Sequence, residues 1–306
     1  MPGPDDLYEV SADLPELHRP VLLCSLDGFV DAGAVAGLVR EQVLADLDSK
    51  PVVTFDVDRL VDYRARRPLM SYSEDHWESY DAPLLAMHAV RDSVGAPFLL
   101  LTGPEPDYAW DRFTAAVGDL VQRFDVRLTV NAHGIPMAVP HTRPIGLTAH
   151  ATRPELVTGY PRWLNQVQVP GSAAALLELR LGAAGHDAMG FAVHVPHYLA
   201  RAAYPAAALA AVEAISTATG LVLPTGSLRT AGDQADAQIT EQIEDSPEVA
   251  AVVRTLEEQY DAYLAAREHD DLLAEQLAGL PTADQLGAEF ERFLAERQGR
   301  RDSPDL

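Results

Sequence analysis

The sequence contains a single lysine, Lys50, among its 306 residues. A phosphate-binding loop of the Gly-Lys-Ser/Thr type is therefore missing, and a Schiff-base mechanism could use only Lys50, which stands beside Pro51 at a predicted surface turn. The one cysteine, Cys24, has no partner for an internal disulfide and lies in a predicted core strand. We therefore expect an unreactive buried thiol in a reducing compartment.

Long apolar runs are missing too. No stretch approaches the length of a membrane span, and the first residues lack the basic-then-apolar pattern of a secretion signal. The formal charge of -23 disfavours nucleic acid or an anionic membrane as a partner, because either would repel the chain. The sequence therefore predicts a cytoplasmic protein with no nucleic-acid and no membrane partner, whose excess of acidic residues serves solubility.

The stretch from Pro97 to Gly134 predicts a strand, a helix and a second strand, and hence an α/β fold. Its first strand, Phe98 to Leu101, is apolar throughout, as expected inside a parallel sheet that is covered on both faces. The second strand begins at Leu128. Between them, apolar residues are spaced as on one face of an α-helix. These residues are Trp110, Phe113, Val117, Leu120, Val121 and Phe124.

Further strand and helix patterns surround this unit. A strand from Val21 to Leu26 leads through a glycine-containing turn to an amphipathic helix, and Pro205 to Thr219 predicts an Ala-rich helix. Ser172 is placed to cap another helix. The connection from Arg59 to Tyr80 shows no clear periodicity. Additional strands are predicted at residues 51–57, 84–88, 163–169 and 188–195.

Composition divides the chain into an arm, a core, an appendage and a tail. Residues 1–19 are polar and predict a loose N-terminal arm, and residues 20–225 predict the α/β core. A glycine-rich stretch at 220–232 leads into residues 233–299, whose predicted helices have acidic faces and which we interpret as a helical appendage. Residues 300–306 predict a flexible tail.

Polar residues gather where the predicted strands end, which is where open α/β sheets bind ligands. Several of them also have a structural explanation: Asp31 and Ser172 precede helices and suit N-terminal caps, while Gly33 permits a tight turn. Gly171 and Ser172 could instead present helix amides to an anion. The candidate ligand-binding residues are Asp31, Gly33, Glu105, His133, Gly171, Ser172, His194 and His197.

No residue spacing indicates a metal site or a known catalytic motif. His194 and His197 flank Pro196 at the end of a strand, so they lack the geometry of a helical zinc motif. The Gly-x-Ser-x-Gly and Gly-x-Gly-x-x-Gly patterns are absent. We expect no metal and no cofactor, and the residues alone assign no reaction.

The candidate surface for protein contacts is the loop from Tyr63 to Tyr80, within the connection that starts at Arg59, together with the helices of residues 233–299. It is longer than a plain connector and combines arginines with aromatic residues. In so acidic a chain, the arginines are expected to pair with carboxylates of the same chain or of a neighbouring subunit. The candidate partner-binding residues are Tyr63, Arg64, Arg67, Tyr72 and Trp77.

Several segments together resemble the proteasome assembly chaperone 2 family in its actinobacterial form. The resemblance covers about residues 8 to 225, and the acidic helices after it match the bacterial branch. It implies a three-layer α/β/α sandwich around a mostly parallel sheet, similar to nucleoside phosphorylases and hydrolases, with a C-terminal helical appendage. The segments are Gly28-Phe29-Val30-Asp31-Ala32-Gly33, Phe98 to Glu105, Ala132-His133-Gly134-Ile135-Pro136, and Pro170-Gly171 before a helix.

The same resemblance implies a non-catalytic protein that self-associates and binds other proteins, because eukaryotic and archaeal relatives assist proteasome assembly. The expected partners are a second copy, in a homo-oligomer for which a trimer is one candidate, and proteasome subunits or another protein complex. The alternative is a small-molecule binder or enzyme of the nucleoside phosphorylase or hydrolase type, using Asp31, Glu105, His133 or His194. An ATP-dependent carboxylate-amine ligase is disfavoured, because that chemistry ordinarily places lysines on nucleotide phosphates and this chain has one lysine.

Overall fold

The structure, a computed structural model, describes residues 4–28, 30–161, 166–244 and 246–268. These residues form ten strands and six α-helices. The strands are β1 (Tyr8–Val10), β2 (Val21–Asp27), β3 (Ser49–Phe55), β4 (Met70–Ser73), β5 (His76–Tyr80), β6 (Ala86–Arg91), β7 (Pro97–Pro104), β8 (Leu128–Met137), β9 (Leu147–Ala151) and β10 (Ala188–Pro196). The helices are α1 (Val35–Asp46), α2 (Trp110–Arg123), α3 (Ala173–Ala183), α4 (Pro205–Thr219), α5 (Gly226–Glu244) and α6 (Pro247–Glu268).

Eight of the strands form one mixed sheet in the order β1-β3-β6-β7-β2-β8-β10-β9. Its central strands β7, β2, β8 and β10 are mutually parallel. The strands on either side are antiparallel to their neighbours. The predicted unit of strand, helix and strand is confirmed as β7-α2-β8, and β2 lies between its two strands. No helix in the described ranges is both long enough and apolar enough to span a bilayer.

Helices cover both faces of this sheet. Alternate residues of β2 point to opposite faces: Val21 and Leu23 pack in the cluster with α1 and α4, whereas Leu22 and Cys24 pack in the cluster with α2 and α3. The predicted three-layer α/β/α sandwich is therefore confirmed. Burial raises the pKa of the Cys24 thiol to about 12, so this group stays protonated and unreactive at neutral pH.

The N-terminal residues belong to the sheet, and the prediction of a loose arm is wrong for them. The edge strand β1 pairs antiparallel with β3, from Tyr8 opposite Phe55 to Val10 opposite Val53. Leu7, directly before it, is fully buried. A strand of three residues is too short to leave a periodic pattern in the sequence, and its burial depends on β3, which lies far along the chain.

The connection from Arg59 to Tyr80 contains a β-hairpin that the sequence pattern does not predict. Strands β4 and β5 pair antiparallel, from Met70 opposite Tyr80 to Ser73 opposite His76, and form a separate two-stranded sheet. Every residue of β5 is exposed. The hairpin therefore lacks the apolar and polar alternation by which a half-buried strand is recognised in a sequence.

The strand predicted at 163–169 is wrong for residues 166–169, which have no regular structure, and residues 162–165 lie outside the described ranges. The position beside β10 is taken by β9, which pairs with it antiparallel.

The helical segment after the core begins earlier than predicted. Helix α4 is followed by Gly220 in the left-handed region, at a φ of 74°, and α5 starts at Gly226 instead of at 233. Gly232 lies inside α5, where a Cβ would sit 3.5 Å from the backbone nitrogen of Ala206 in α4. The glycine-rich stretch at 220–232 therefore contains a residue at which two helices are in contact.

Helix α6 is joined to the loop that follows β8. Arg143 donates to both carboxylate oxygens of Asp261, from Nε at 2.8 Å and from Nη2 at 2.7 Å. The hydroxyl of Tyr260 donates to the carbonyl oxygen of Pro144 at 3.2 Å. The division into core and appendage stays a prediction, and the last predicted helix and the tail lie outside the described residues.

Candidate functional site

Two neighbouring parallel strands, β2 and β7, send their following helices to opposite faces of the sheet. Helix α1 packs on one face and α2 on the other. The carboxyl ends of two such strands border the crevice in which open α/β sheets bind ligands. We call the carboxyl ends of β2, β7, β8 and β10, with the loops that follow them, the strand-end site.

Arg66 fills the crevice between β2 and β7. Its Nη1 donates to the carbonyl oxygens of Glu105 at 2.7 Å and Asp27 at 3.2 Å. Its Nη2 donates to Asp107 Oδ1 at 2.7 Å, and the other oxygen of Asp107 accepts from the backbone nitrogen of Asp62 at 2.7 Å. A guanidinium of the chain itself therefore lies across the carboxyl ends of these two strands and fixes the connection that leads to β4.

Arg66 belongs to the arginine cluster for which pairing with the chain's own acids is predicted, and its bond to Asp107 is such a pair. Sequence reasoning chose Arg64 and Arg67 as candidates and missed the position of Arg66. The cluster itself is visible in the sequence, but no local signal indicates which arginine reaches the sheet.

The carboxylate of Asp31 accepts hydrogen bonds from three backbone amides. Its Oδ1 accepts from Ala36 at 3.0 Å and from Gly134 at 3.0 Å, and its Oδ2 accepts from Gly37 at 3.2 Å. Ala36 and Gly37 lie in the first turn of α1, so this carboxylate caps the helix and joins it to β8. Both oxygens therefore hold the fold together.

The backbone passes close to itself beside this cap. A Cβ on Gly134 would lie 1.9 Å from the carbonyl oxygen of Ala32. Gly33 has a φ of 69°, and its amide donates to Ala200 O at 3.0 Å while its carbonyl oxygen accepts from Tyr204 N at 2.8 Å. The turn at Gly33 is thus packed against β8 and against the residues before α4.

Glu105 is buried, and its Oε1 accepts a hydrogen bond from the backbone nitrogen of Ala173 at 2.6 Å. Ala173 is the first residue of α3, so this carboxylate lies at the positive end of the helix dipole. Ser172 caps the same helix by accepting from Ala175 N at 3.1 Å, and Gly171 precedes it in an exposed segment. The anion at this helix N-terminus is therefore Glu105 of the same chain.

The histidines of the strand-end site are held in the neutral form by burial. His194 is 1% exposed, its Nε2 lies 2.9 Å from Thr148 Oγ1, and burial lowers its pKa to about 4. Burial also lowers the pKa values of His133 in β8 and of His197, which follows β10. Nearby Asp31 opposes this shift at His133 without reversing it.

The free energy of unfolding should fall as the pH drops from about 6.5 towards 4, and His194 should contribute to that fall. The unfolded chain binds a proton at His194 near the ordinary pKa of 6.5, whereas the folded chain does not until about 4. The part of the free energy of unfolding that depends on neutral His194 is therefore fully present above pH 6.5 and is lost as the pH falls towards 4. The loss between pH 7 and pH 5 is about 2 kcal/mol. Urea unfolding at both pH values measures this loss.

The control for this prediction is the variant His194→Gln, which cannot titrate there. Its loss of stability between pH 7 and pH 5 should be about 2 kcal/mol smaller than that of the unmodified chain. Other histidines and the carboxylates contribute equally to both proteins, so the difference isolates His194. Equal losses in the two proteins would contradict the assignment.

Sequence reasoning missed a second polar group on the sheet. His150 Nδ1 in β9 lies 2.8 Å from Glu178 Oε1 in α3, and Asn131 donates to Glu178 Oε2 at 3.4 Å. Gly190 makes room for this group, because a Cβ there would lie 2.3 Å from His150 Cε1. The alternating polar residues of β8 and β9 are the signal in the sequence, but the pairing requires that both strands flank β10.

The described residues contain no group of three or more His, Cys, Asp or Glu side chains arranged to hold a metal ion. A cavity of about 230 Å³ is lined by Lys50, Arg91 and residues of the N-terminal segment, at the amino end of β7. A cavity of about 20 Å³ lies in the core under α1. Neither cavity is lined by any of the candidate ligand-binding residues.

The hairpin presents an exposed apolar face. Ser71 pairs with Ser79 and Tyr72 with Trp77, so Glu78 is an extra residue that forms a bulge. Opposed residues of an antiparallel pair share a face, and the bulge therefore brings the pairs Tyr72–Trp77 and Met70–Tyr80 to one side. The rings of Tyr72 and Trp77 pack edge to face with centroids 5.2 Å apart.

We call six exposed residues of this segment the hairpin surface. Trp77 is 63% exposed and Tyr72 59%, although both are large and partly apolar. Exposed apolar residues grouped on one face of a protein are typical of a binding site. The hairpin surface consists of Met70, Tyr72, Trp77 and Tyr80 on the apolar face, with Leu69 and Leu84 flanking them along the chain.

The structure separates the five candidate partner-binding residues. Tyr72 and Trp77 belong to the hairpin surface, and Arg64 and Arg67 are exposed in the connection before it. Tyr63 is half-buried, and its hydroxyl donates to Asp58 Oδ1 at 2.5 Å.

Comparisons with known proteins agree on one family. A family model described as the PAC2 family matches residues 25–243. The chain is 46% identical to Rv2714, a Mycobacterium tuberculosis protein of unknown function, with a TM-score of 0.82 over 87% of this chain and 94% of the other. It is 38% identical to a Corynebacterium glutamicum protein of unknown function, with a TM-score of 0.81 over 84% of this chain and 98% of the other.

A third solved structure shares the fold at lower identity. It is the Mycobacterium tuberculosis proteasome-assembly chaperone homologue Rv2125, which is 23% identical to this chain. Its TM-score is 0.70, over 76% of this chain and 99% of the other. No curated protein matches the sequence.

Proposed function

Because this chain belongs to the PAC2 family, we propose that it is a non-catalytic protein-binding factor that assists the assembly of a protein complex. The fold shared with a proteasome-assembly chaperone homologue supports proteasome subunits as the first clients to test. Self-association into a homo-oligomer is part of the proposal.

The hairpin surface is the observation that carries this proposal. Aromatic residues are enriched at protein interfaces because they bury a large area at a low entropic cost. Here Tyr72 and Trp77 are held in a fixed geometry by strand pairing and by their own ring contact. Arg66 anchors the connection before them to the end of β2, through the carbonyl oxygen of Asp27, and to Asp107. The hairpin surface is thus a preorganised docking element.

The geometry favours docking over the alternative of an enzyme of the nucleoside phosphorylase or hydrolase type. That alternative requires free carboxylates near a histidine. Asp31 directs both of its oxygens to backbone amides, and Glu105 holds the first amide of α3. The crevice beside them is filled by Arg66.

Replacing the two central aromatic residues, in the double variant Tyr72→Ser/Trp77→Ser, should strongly weaken client binding. The loss of a central aromatic pair commonly weakens an interface by 2 kcal/mol or more, which is about thirtyfold in affinity. The tagged chain should be purified under native conditions from a strain that lacks the original copy. Quantitative mass spectrometry then compares the recovery of proteasome subunits with the unmodified chain and with the variant.

The matched control is the double variant Val94→Ser/Leu179→Ser, which removes apolar residues that are 73% and 66% exposed elsewhere on the surface. It should recover the same subunits as the unmodified chain. Equal recovery from the hairpin variant, at an unchanged melting temperature, would refute the hairpin surface as the docking element. If proteasome subunits are missing from every sample, the proposal that they are the clients is refuted.

A further inference from the structure

The hairpin carries acidic residues but no lysine or arginine. Between Leu69 and Leu85 the sequence has no lysine or arginine. Within the described ranges, none of the acidic residues of this stretch is paired with an arginine or lysine, and Asp75 contacts only the ring of His76, at 3.0 Å. All are exposed. These acidic residues are Glu74, Asp75, Glu78 and Asp81.

The acidic residues alternate along the chain with those of the apolar face. Glu74 and Asp75 form the turn of the hairpin, and Glu78 is the bulged residue between Trp77 and Tyr80. An interface usually has an apolar centre and a polar rim that excludes water from it. Here the rim has one sign of charge.

We infer that the hairpin surface docks a partner protein whose contact surface has an apolar centre and a basic rim. This inference rests on the proposed function and specifies the chemistry of its partner. A complementary rim steers the encounter and sets the salt dependence of binding. The charge of -23 on the whole chain acts in the same direction, because it attracts a basic partner over a longer range.

A second copy of the chain fits this surface less well. Two hairpin surfaces in contact would bring together two sets of four carboxylates that have no arginine or lysine partner, and like charges across an interface are unfavourable. The exposed Arg64 and Arg67 lie outside the hairpin strands, and the other two arginines of the connection, Arg59 and Arg66, are paired with Asp56 and Asp107. The homo-oligomer is therefore expected to use a different surface.

Two synthetic peptides test the inference on the full chain. They share the same apolar residues, and one carries lysines where the other carries glutamates. Binding is followed by the emission of Trp77, with the variant Trp77→Phe identifying its signal among the three tryptophans. The lysine peptide should bind at least about tenfold more tightly than the glutamate peptide, and raising the salt from about 0.05 M to about 0.5 M should remove most of that difference.

Two neutralised variants locate the effect. Glu74→Gln/Asp75→Asn/Glu78→Gln should weaken binding of the lysine peptide about tenfold. The control variant Glu41→Gln/Asp119→Asn/Glu241→Gln removes the same charge from three exposed positions in α1, α2 and α5. It should weaken binding of the lysine peptide less than about twofold. Equal effects of the two variants would overturn the inference, because attraction would then come from the whole chain.

A second copy as the occupant is tested by sedimentation. If the hairpin-neutralised variant self-associates more tightly than the unmodified chain, and Trp77 emission follows the concentration of the protein, the inference is overturned. If client recovery depends on Tyr72 and Trp77 but not on Glu74, Asp75 and Glu78, the charge inference fails while the proposed function stands. Loss of client recovery in the hairpin-neutralised variant, with an unchanged oligomer, supports both.

Discussion

The variant Gly134→Ala should lower the free energy of unfolding by about 4 kcal/mol or more, or prevent folding. An added Cβ would lie 1.9 Å from the carbonyl oxygen of Ala32 and 2.9 Å from its carbonyl carbon. Both are backbone atoms, so β8 or the turn before α1 must move. That movement would also break the hydrogen bond from Gly134 N to Asp31 Oδ1. Urea unfolding followed by circular dichroism measures the loss.

The matched control is Gly118→Ala in the middle of α2, where a Cβ would meet nothing within 4 Å. Alanine is a better helix former than glycine, so this variant should raise the free energy of unfolding by about 0.5 to 1 kcal/mol. The same substitution should thus have opposite effects at two positions. A loss below about 1 kcal/mol at Gly134 would show that β8 and the turn are not in close contact.

The variant Glu105→Ala should cost about 3 kcal/mol of stability, because it leaves the buried amide of Ala173 without an acceptor and removes a negative charge from the N-terminus of α3. Glu105→Gln keeps an acceptor oxygen and should cost clearly less. Ser172→Ala removes the ordinary cap of the same helix and should cost about 1 kcal/mol. Thermal and urea unfolding of the three variants measure these losses of stability and so give their order.

The order of these three losses is the test of the role of Glu105. If Glu105→Ala costs no more than Ser172→Ala, the carboxylate does not hold the helix. If a small molecule then raises the melting temperature of the unmodified chain but not of Glu105→Gln, the residue is part of a ligand site.

The elements with strong local signals were predicted from the sequence. Helix α4 has the predicted bounds, because proline suits its first turn and glycine suits the position after its end. The unit β7-α2-β8 was also predicted from local patterns, because β7 is an apolar run and the apolar residues of α2 have helical spacing. The edge strand β1 and the exposed hairpin were missed, since their pairing depends on other strands or has no buried face.

The candidate site was predictable only in part. The turn at Asp31 and the cap at Ser172 follow from neighbouring residues, and their structural explanations were available from the sequence. The hydrogen bond from the Ala173 amide to Glu105 joins residues 68 positions apart, and that from Arg66 to Asp107 joins residues 41 positions apart. Such contacts have no local signature, so the closure of the crevice becomes visible only in three dimensions.

The central claim is that this chain acts through its hairpin surface and uses the strand-end carboxylates to hold its fold. The most direct measurement is complementation of a strain that lacks the gene, with proteasome precursors quantified on native gels. The account predicts that Glu105→Gln restores normal precursor levels and that Tyr72→Ser/Trp77→Ser does not, with both proteins folded and equally abundant. Restoration by the hairpin variant and failure of Glu105→Gln would contradict it.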